Sequence, residues 1–248
     1  LALGQSLHAA DKARWGNLTA TFVYDGEPPE RRPLRVDKDR GLYKDPILDP
    51  SLIVDPKTKG IANVVAWLHL DRGASLPAIH PGYEKSAKDE IVIDTIRGNI
   101  EPHVCLLRTY QTLHTKNSEP IGHHFNCHLF PPPNLISASG SRKLQLKPES
   151  SNSQPAPIAC SIHPWENGYL LVRDHPYMAL CNDQGQLTIN NLPVGKHTFT
   201  FWHERSGFIT AVKRDGKAEK WKLGRLEVDI KPGTNDLGEI VCDSKQFR

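Results

Sequence analysis

Apolar and polar positions along this chain alternate in short runs, and nearly every run ends at a turn signal. The segment NLTATFVYDG, residues 17–26, alternates and stops at Asp25-Gly26, the pattern of a half-buried strand bounded by a turn. IANVVAWLHL (61–70) is rich in β-branched residues, which suit extended backbone. QLTINNLPVGKHTFTFWHE (186–204) reads as strand, turn at Pro193-Val194-Gly195, strand. Its second strand puts Thr198, Thr200 and Trp202 on one face and Phe199, Phe201 and His203 on the other. RLEVDIKPGTNDLGEIVC (225–242) reads as two strands around Pro232-Gly233. Short helices are expected only in SAKDEIVIDTI (86–96) and in the first dozen residues. FPPPN (130–134) and the polar KPESSNSQPAP (147–157) read as loops. Many short strands, punctuated by 20 prolines and 18 glycines in 248 residues, predict an all-β protein built as a sandwich or barrel.

Composition and charge narrow this picture only a little. No run of about 18 apolar residues is present, so no helix is expected to span a membrane. The net charge of +3 is small and both signs are interspersed, unlike the concentrated basic stripe of a nucleic-acid-binding protein. The opening residues have neither a cationic n-region nor a full apolar h-region. If the protein is exported, its signal peptide is expected to have been removed. No G-x-S-x-G, Walker loop, G-x-G-x-x-G or H-E-x-x-H motif occurs, so the common hydrolase, nucleotide and zincin chemistries have no signature here.

Histidine and cysteine carry the candidate chemistry. Cys160 and His163 stand in C-x-x-H spacing where the apolar strand IACSIH meets Pro164. About forty residues upstream, NSEPIGHHFN brings His123 and His124 into another apolar strand. Neighbouring strands of a sandwich could bring one of these histidines beside Cys160 and His163. One thiolate and two imidazoles suit copper with a weak axial ligand. The five cysteines, at 105, 127, 160, 181 and 242, leave four if Cys160 binds metal. Those four form either up to two disulfides or buried free thiols. The other histidines read as ordinary or internally hydrogen-bonded, His175 and His203 among the latter.

From about Glu101 to Tyr177 the chain resembles cupredoxins, particularly an exported bacterial group similar to methylamine-utilisation-associated cupredoxins. Asn117 to His124 stand in that group's N-x-D-P-x-x-H-N pattern. Cys160 to Glu166, with Gly168, Tyr169 and Asp174 to Tyr177, stand in its C-N-I-H-P-W-M and G-Y-x-x-V-x-D-H-P-Y patterns. The resemblance implies His123, Cys160 and His163 as equatorial copper ligands, with His124 a second candidate for the first position. It also marks a departure. Amicyanin-like cupredoxins carry an axial methionine three residues after the second histidine, where this chain has Glu166; its only methionine is Met178.

A hard carboxylate stabilises Cu(II) over Cu(I) where a thioether does the reverse. If Glu166 binds, the reduction potential falls and the colour moves from blue toward green or red, as in red-copper nitrosocyanin. The alternative has Glu166 facing solvent, leaving the site three-coordinate or completed by water. Two histidines, a cysteine and a glutamate also make a legitimate zinc set.

The flanks resemble a carboxypeptidase regulatory-like, prealbumin-like sandwich. GNLTATFVYDGEPP and IANVVAWL match its first strands, and ALCNDQGQLTINNLPVGKHTFTFW its later hairpin. This implies a discontinuous sandwich over 14–75 and 179–245 with a cupredoxin-like domain over 88–178. Two sequential domains are the rival arrangement. The resemblance implies single-electron transfer with a redox partner protein, the periplasm or cell surface as location, and electron exit through an exposed His163 edge. An enzyme using an open copper position and a copper carrier or structural module are the competing functions.

Overall fold

The computed structural model describes residues 14–127, 129, 134–137 and 144–248. Among these residues the regular elements are strands and four short 3-10 turns, so the all-β expectation holds. Among the described residues no helix is long and apolar enough to cross a membrane. The chain divides into two compact units. One takes the described part of Leu1–Glu30 with Ser51–Glu84 and His175–Arg248; the other takes Arg31–Pro50 and Lys85–Asp174.

In chain order the first unit begins with β1 (Trp15–Asp25) and β2 (Val65–Leu68). The second holds β3 (Glu90–Ile96), β4 (Asn99–Glu101), β5 (Val104–Arg108), β6 (Thr112–Asn117), β7 (His123–Cys127), β8 (Asn134–Ser137), β9 (Leu144–Leu146), β10 (Ala156–Ala159) and β11 (Asn167–Arg173). The first resumes with β12 (Met178–Leu180), β13 (Gln186–Pro193), β14 (Gly195–His203), β15 (Gly207–Phe208), β16 (Ala211–Arg214), β17 (Lys217–Lys220), β18 (Arg225–Ile230) and β19 (Gly233–Asp243).

In the first unit, the alternation of β1 buries Leu18, Ala20 and Phe22. One sheet runs β13-β1-β19-β16-β17 and the other β12-β2-β14-β15, with β18 also on β14. The two strand-turn-strand segments therefore do not close as hairpins. β13 pairs with β1 while β14 pairs with β2 and β18; β19 pairs with β1 and β16. Crossing between sheets lets Leu187, Ile189 and Leu192 meet Phe199 and Phe201 in one core. A hairpin would lay them side by side in one sheet.

The second unit is also a sandwich, of sheets β5-β11-β10-β7-β8 and β4-β3-β6-β9. Ile93, Ile100 and Leu113 from one sheet pack on Leu107, Phe125, Ile158 and Leu170 from the other, each worth about 1.5–3 kcal/mol when fully buried. The expected helix in SAKDEIVIDTI is instead β3, parallel to β6 and antiparallel to β4. Its Ile-Val-Ile and Thr-Ile content favours extended backbone, and the β6 partner satisfies the ladder. The helix expected in the first dozen residues, the loop at 130–133 and His128 lie outside the described residues. Residues 147–155 form the expected loop before β10.

All five cysteines are buried free thiols, so the disulfide option is not taken. Burial pushes the Cys105 and Cys127 thiols up to about 12, which keeps them protonated and unreactive.

Candidate metal centre

Strands β10 and β11 pair with Ala159 opposite Asn167, and the seven residues between them carry three of the candidate ligands. Cys160 N–H donates to the Glu166 carbonyl (3.1 Å), and Glu166 N–H to the His163 carbonyl (2.9 Å). These bonds fold the loop so that Cys160, His163 and Glu166 converge. Strand β7 is the other neighbour of β10, pairing Ile158 with Cys127 and Ala159 with Asn126. This register brings its first residue, His123, to the mouth of the loop.

One ligand atom from each of His123, Cys160, His163 and Glu166 lies within 4.8 Å of the other three. His123 Nδ1 is 2.8 Å from Glu166 Oε2 and 3.1 Å from His163 Nδ1. His163 Nδ1 is 3.8 Å from Cys160 Sγ and 3.7 Å from Glu166 Oε2. Donors about 2.0–2.3 Å from a common tetrahedral ion would stand roughly 3.3–3.7 Å apart, so the four atoms suit one ion. Backbone N–H groups of His124 (3.3 Å) and His163 (3.4 Å) donate to Cys160 Sγ.

The His123 ring enters the cluster. The His124 ring is turned away and bonds the Ser161 hydroxyl. Glu166 is 1% exposed, so the solvent-facing alternative does not hold. His163 is 0% exposed, which corrects the expectation that its edge is open for electron exit. Trp165 packs 5.1 Å from the His163 ring, shielding one side.

A second layer of acids stands behind the imidazoles. His163 Nε2 is 2.9 Å from Asp39 Oδ2, and His123 Nε2 is 3.3 Å from Glu119 Oε2, although the latter contact is too bent for a good hydrogen bond. Glu119 is held in turn by the Tyr43 hydroxyl (2.9 Å) and the Gly98 N–H. Asn117 clasps this turn, accepting from Glu119 N–H (2.9 Å) and donating to the Ile121 carbonyl (2.7 Å). Burial raises the Tyr43 hydroxyl, and its bond to Glu119 with the charges of Glu119, Glu166 and Asp39 raise it further. For His123, burial opposes the charge. Hydrogen bonds to Cys160 and Glu166, with the charges of Glu166 and Glu119, outweigh it and push His123 up to about 10.

Asp39, Tyr43 and Gly98 have no counterpart in the sequence expectations. Glu119 could have been found from NSEPIGHH, where an acid four residues before a ligand-type histidine faces it across a turn. Asp39 and Tyr43 lie 124 and 76 residues from their partners in a segment without a motif. Beyond Glu119 opens a cleft of about 650 Å3, lined by Tyr43, Ile47, Ile96, Arg97 and Pro120 among others, which none of the four cluster residues lines. Three other described histidines are engaged elsewhere: His175 by the Leu68 carbonyl (3.1 Å) and His203 by Arg205 N–H through hydrogen bonds, and His114 by a 3.2 Å approach to the Glu90 carboxylate.

No protein-family model matches the chain, and no curated protein matches it. Among solved structures, an oxidised amicyanin point mutant aligns at 17% identity over 34% of this chain and 82% of its own, with a TM-score of 0.30. A second amicyanin mutant aligns at 15% identity over 44% and 98%, with a TM-score of 0.30. The purple cupredoxin of Nitrosopumilus maritimus aligns at 17% identity over 34% and 99%, with a TM-score of 0.29. The chain is similar to these proteins over part of its length; what the site can do follows from its own residues.

Proposed function

We propose that the protein binds one copper ion through His123, Cys160, His163 and Glu166 and transfers single electrons to and from a partner redox protein. The observation that carries this is the buried quartet itself. Glu166 is sealed from water, and its Oε1 has no hydrogen-bond partner. Among the described residues its ion-pair partners within 4.0 Å are two imidazoles, and no lysine or arginine. A buried carboxylate in that state is costly, and a cation held by all four side chains relieves the cost. Copper would supply a one-electron couple at this place. The chain's own residues would hold it, exclude water and set its electrostatics.

Two inner anionic donors, with Asp39 and Glu119 behind the imidazoles, favour the doubly charged over the singly charged ion. This supports a low potential and a red or green centre. Burial of all four donors supports electron transfer over a reaction at an open copper position. Zinc is the second candidate occupant, favoured by the same nitrogen, sulfur and oxygen donors. Export to the periplasm or cell surface belongs to this proposal on the sequence resemblance. So does the assignment of 14–75 and 179–245 as a carboxypeptidase regulatory-like sandwich that anchors a copper domain over 88–178.

The test compares optical and paramagnetic spectra of the copper form, wild type against Glu166→Met. A shift toward blue in the variant is expected. Identical spectra would remove Glu166 from the ligand set, and a protein that takes up no copper would remove the function.

A further inference from the structure

We propose that Asp39 is a positioning residue for His163, held on it by a strap formed from Arg31–Pro50. The effect on a bound ion rests on the copper reading above; the effect on the histidine itself does not.

The strap is closed at its base. Leu34 N–H donates to the Ile47 carbonyl (2.7 Å) and Asp49 N–H to the Arg32 carbonyl (2.8 Å). The Arg31 guanidinium bonds the Asp49 and Leu48 carbonyls, each at 3.0 Å. Ile47 is buried, anchoring the returning arm. At the far end Asp39 takes a left-handed backbone (φ 53°, ψ 27°) at the head of the 3-10 turn Arg40–Leu42. That conformation is disfavoured for L-residues, least for aspartate and asparagine. Here it aims the carboxylate at His163.

Charge pairing sorts the two nearby aspartates. Asp37 takes both local arginines, Arg35 at 2.8 Å and Arg40 at 3.4 Å. Asp39 is left to the imidazole, with its Oδ2 2.9 Å from Nε2. A carboxylate on Nε2 fixes the proton there and leaves the Nδ1 lone pair pointing into the cluster, which orients a metal-binding histidine and raises its donor strength. The same contact covers the imidazole edge, so His163 has no exposed surface through which a partner could touch it.

The test uses the full chain with Asp39→Asn and Asp39→Ala; asparagine keeps the left-handed preference and guards against loss of fold. In the metal-free wild type, nitrogen-resolved NMR should show a slowly exchanging His163 Nε2–H. It should persist in Asp39→Asn, which still offers an oxygen acceptor, and exchange freely in Asp39→Ala. Affinity for zinc and for copper should fall about 10–100-fold in Asp39→Ala, and the copper reduction potential should rise in both variants. A protected Nε2–H and unchanged metal affinity in Asp39→Ala would overturn the inference. A wild type that binds neither metal but loses Nε2–H protection in Asp39→Ala would overturn the copper reading and leave Asp39 as the positioning residue.

Discussion

Gly98 stands where a turn of the second unit's sandwich meets Glu119, through its N–H, and the close-packed side chains of Ile47 and Tyr43. It is the second residue of a two-residue turn, Arg97-Gly98, that joins β3 to β4 with Ile96 opposite Asn99. Both residues have positive φ, 52° and 69°, as the tightest hairpin turns require. A methyl group at Gly98 would stand 2.2 Å from Ile47 Cδ1 and 3.1–3.2 Å from the Tyr43 ring. Gly98→Ala therefore adds about 1–2 kcal/mol of left-handed backbone strain. It also adds about 1–2 kcal/mol for turning the buried Ile47 end and easing Tyr43 back. The sum is about 2–4 kcal/mol. Gly41→Ala, in the same strap, meets nothing within 4 Å at a φ open to any residue, so it should stay within about 0.5 kcal/mol of wild type. Chemical denaturation of both variants reads the difference as a shift in midpoint at constant slope. If Gly98→Ala matches Gly41→Ala, the close approach of Ile47 and Tyr43 to this turn is wrong, and so is the seating of Tyr43 on Glu119.

Two further outcomes follow from the centre's electrostatics. In the metal-free protein His123 is pushed up to about 10 from 6.5, so an incoming ion must displace its proton. Apparent zinc affinity, read by chelator competition, should tighten about tenfold per pH unit between roughly 6.5 and 10 on this account, and a flat profile would refute it. The same shift contributes stability to the metal-free fold that is complete below 6.5 and lost as pH rises through about 10, which thermal unfolding across that range would show. Cys160→Ala should abolish the intense visible band of the copper form while costing the fold only about 1 kcal/mol, since one buried sulfur is lost. A surviving band would remove the thiolate from the centre.

Much of this molecule was legible in local pattern. β1 follows the period-2 alternation of Leu18, Ala20 and Phe22 because a strand buries one face. The C-x-x-H spacing and Glu166 fall in one loop because seven residues suffice to return the chain from β10 to β11. SAKDEIVIDTI was misread because a short apolar run suits either helix or strand, and parallel pairing with β6 arbitrates. The strands and turns of 186–203 and 225–243 are as the pattern predicts, but the hairpin implied for the first segment does not close, because a turn signal states that the chain reverses, not which sheet it rejoins.

Local chemistry in the sequence thus determined the strands, their turns and a thiol, an imidazole and a carboxylate in one loop. Packing alone decided that His123 rather than His124 turns inward, that Glu166 is sealed from water and that His163 has no open edge. Tertiary structure also recruited Glu119, Tyr43 and Asp39, the last from 124 residues away. The physical reason is range. Periodicity and capping act over a few residues, whereas carboxylates behind an imidazole are placed by register, a left-handed turn and the room left at Gly98.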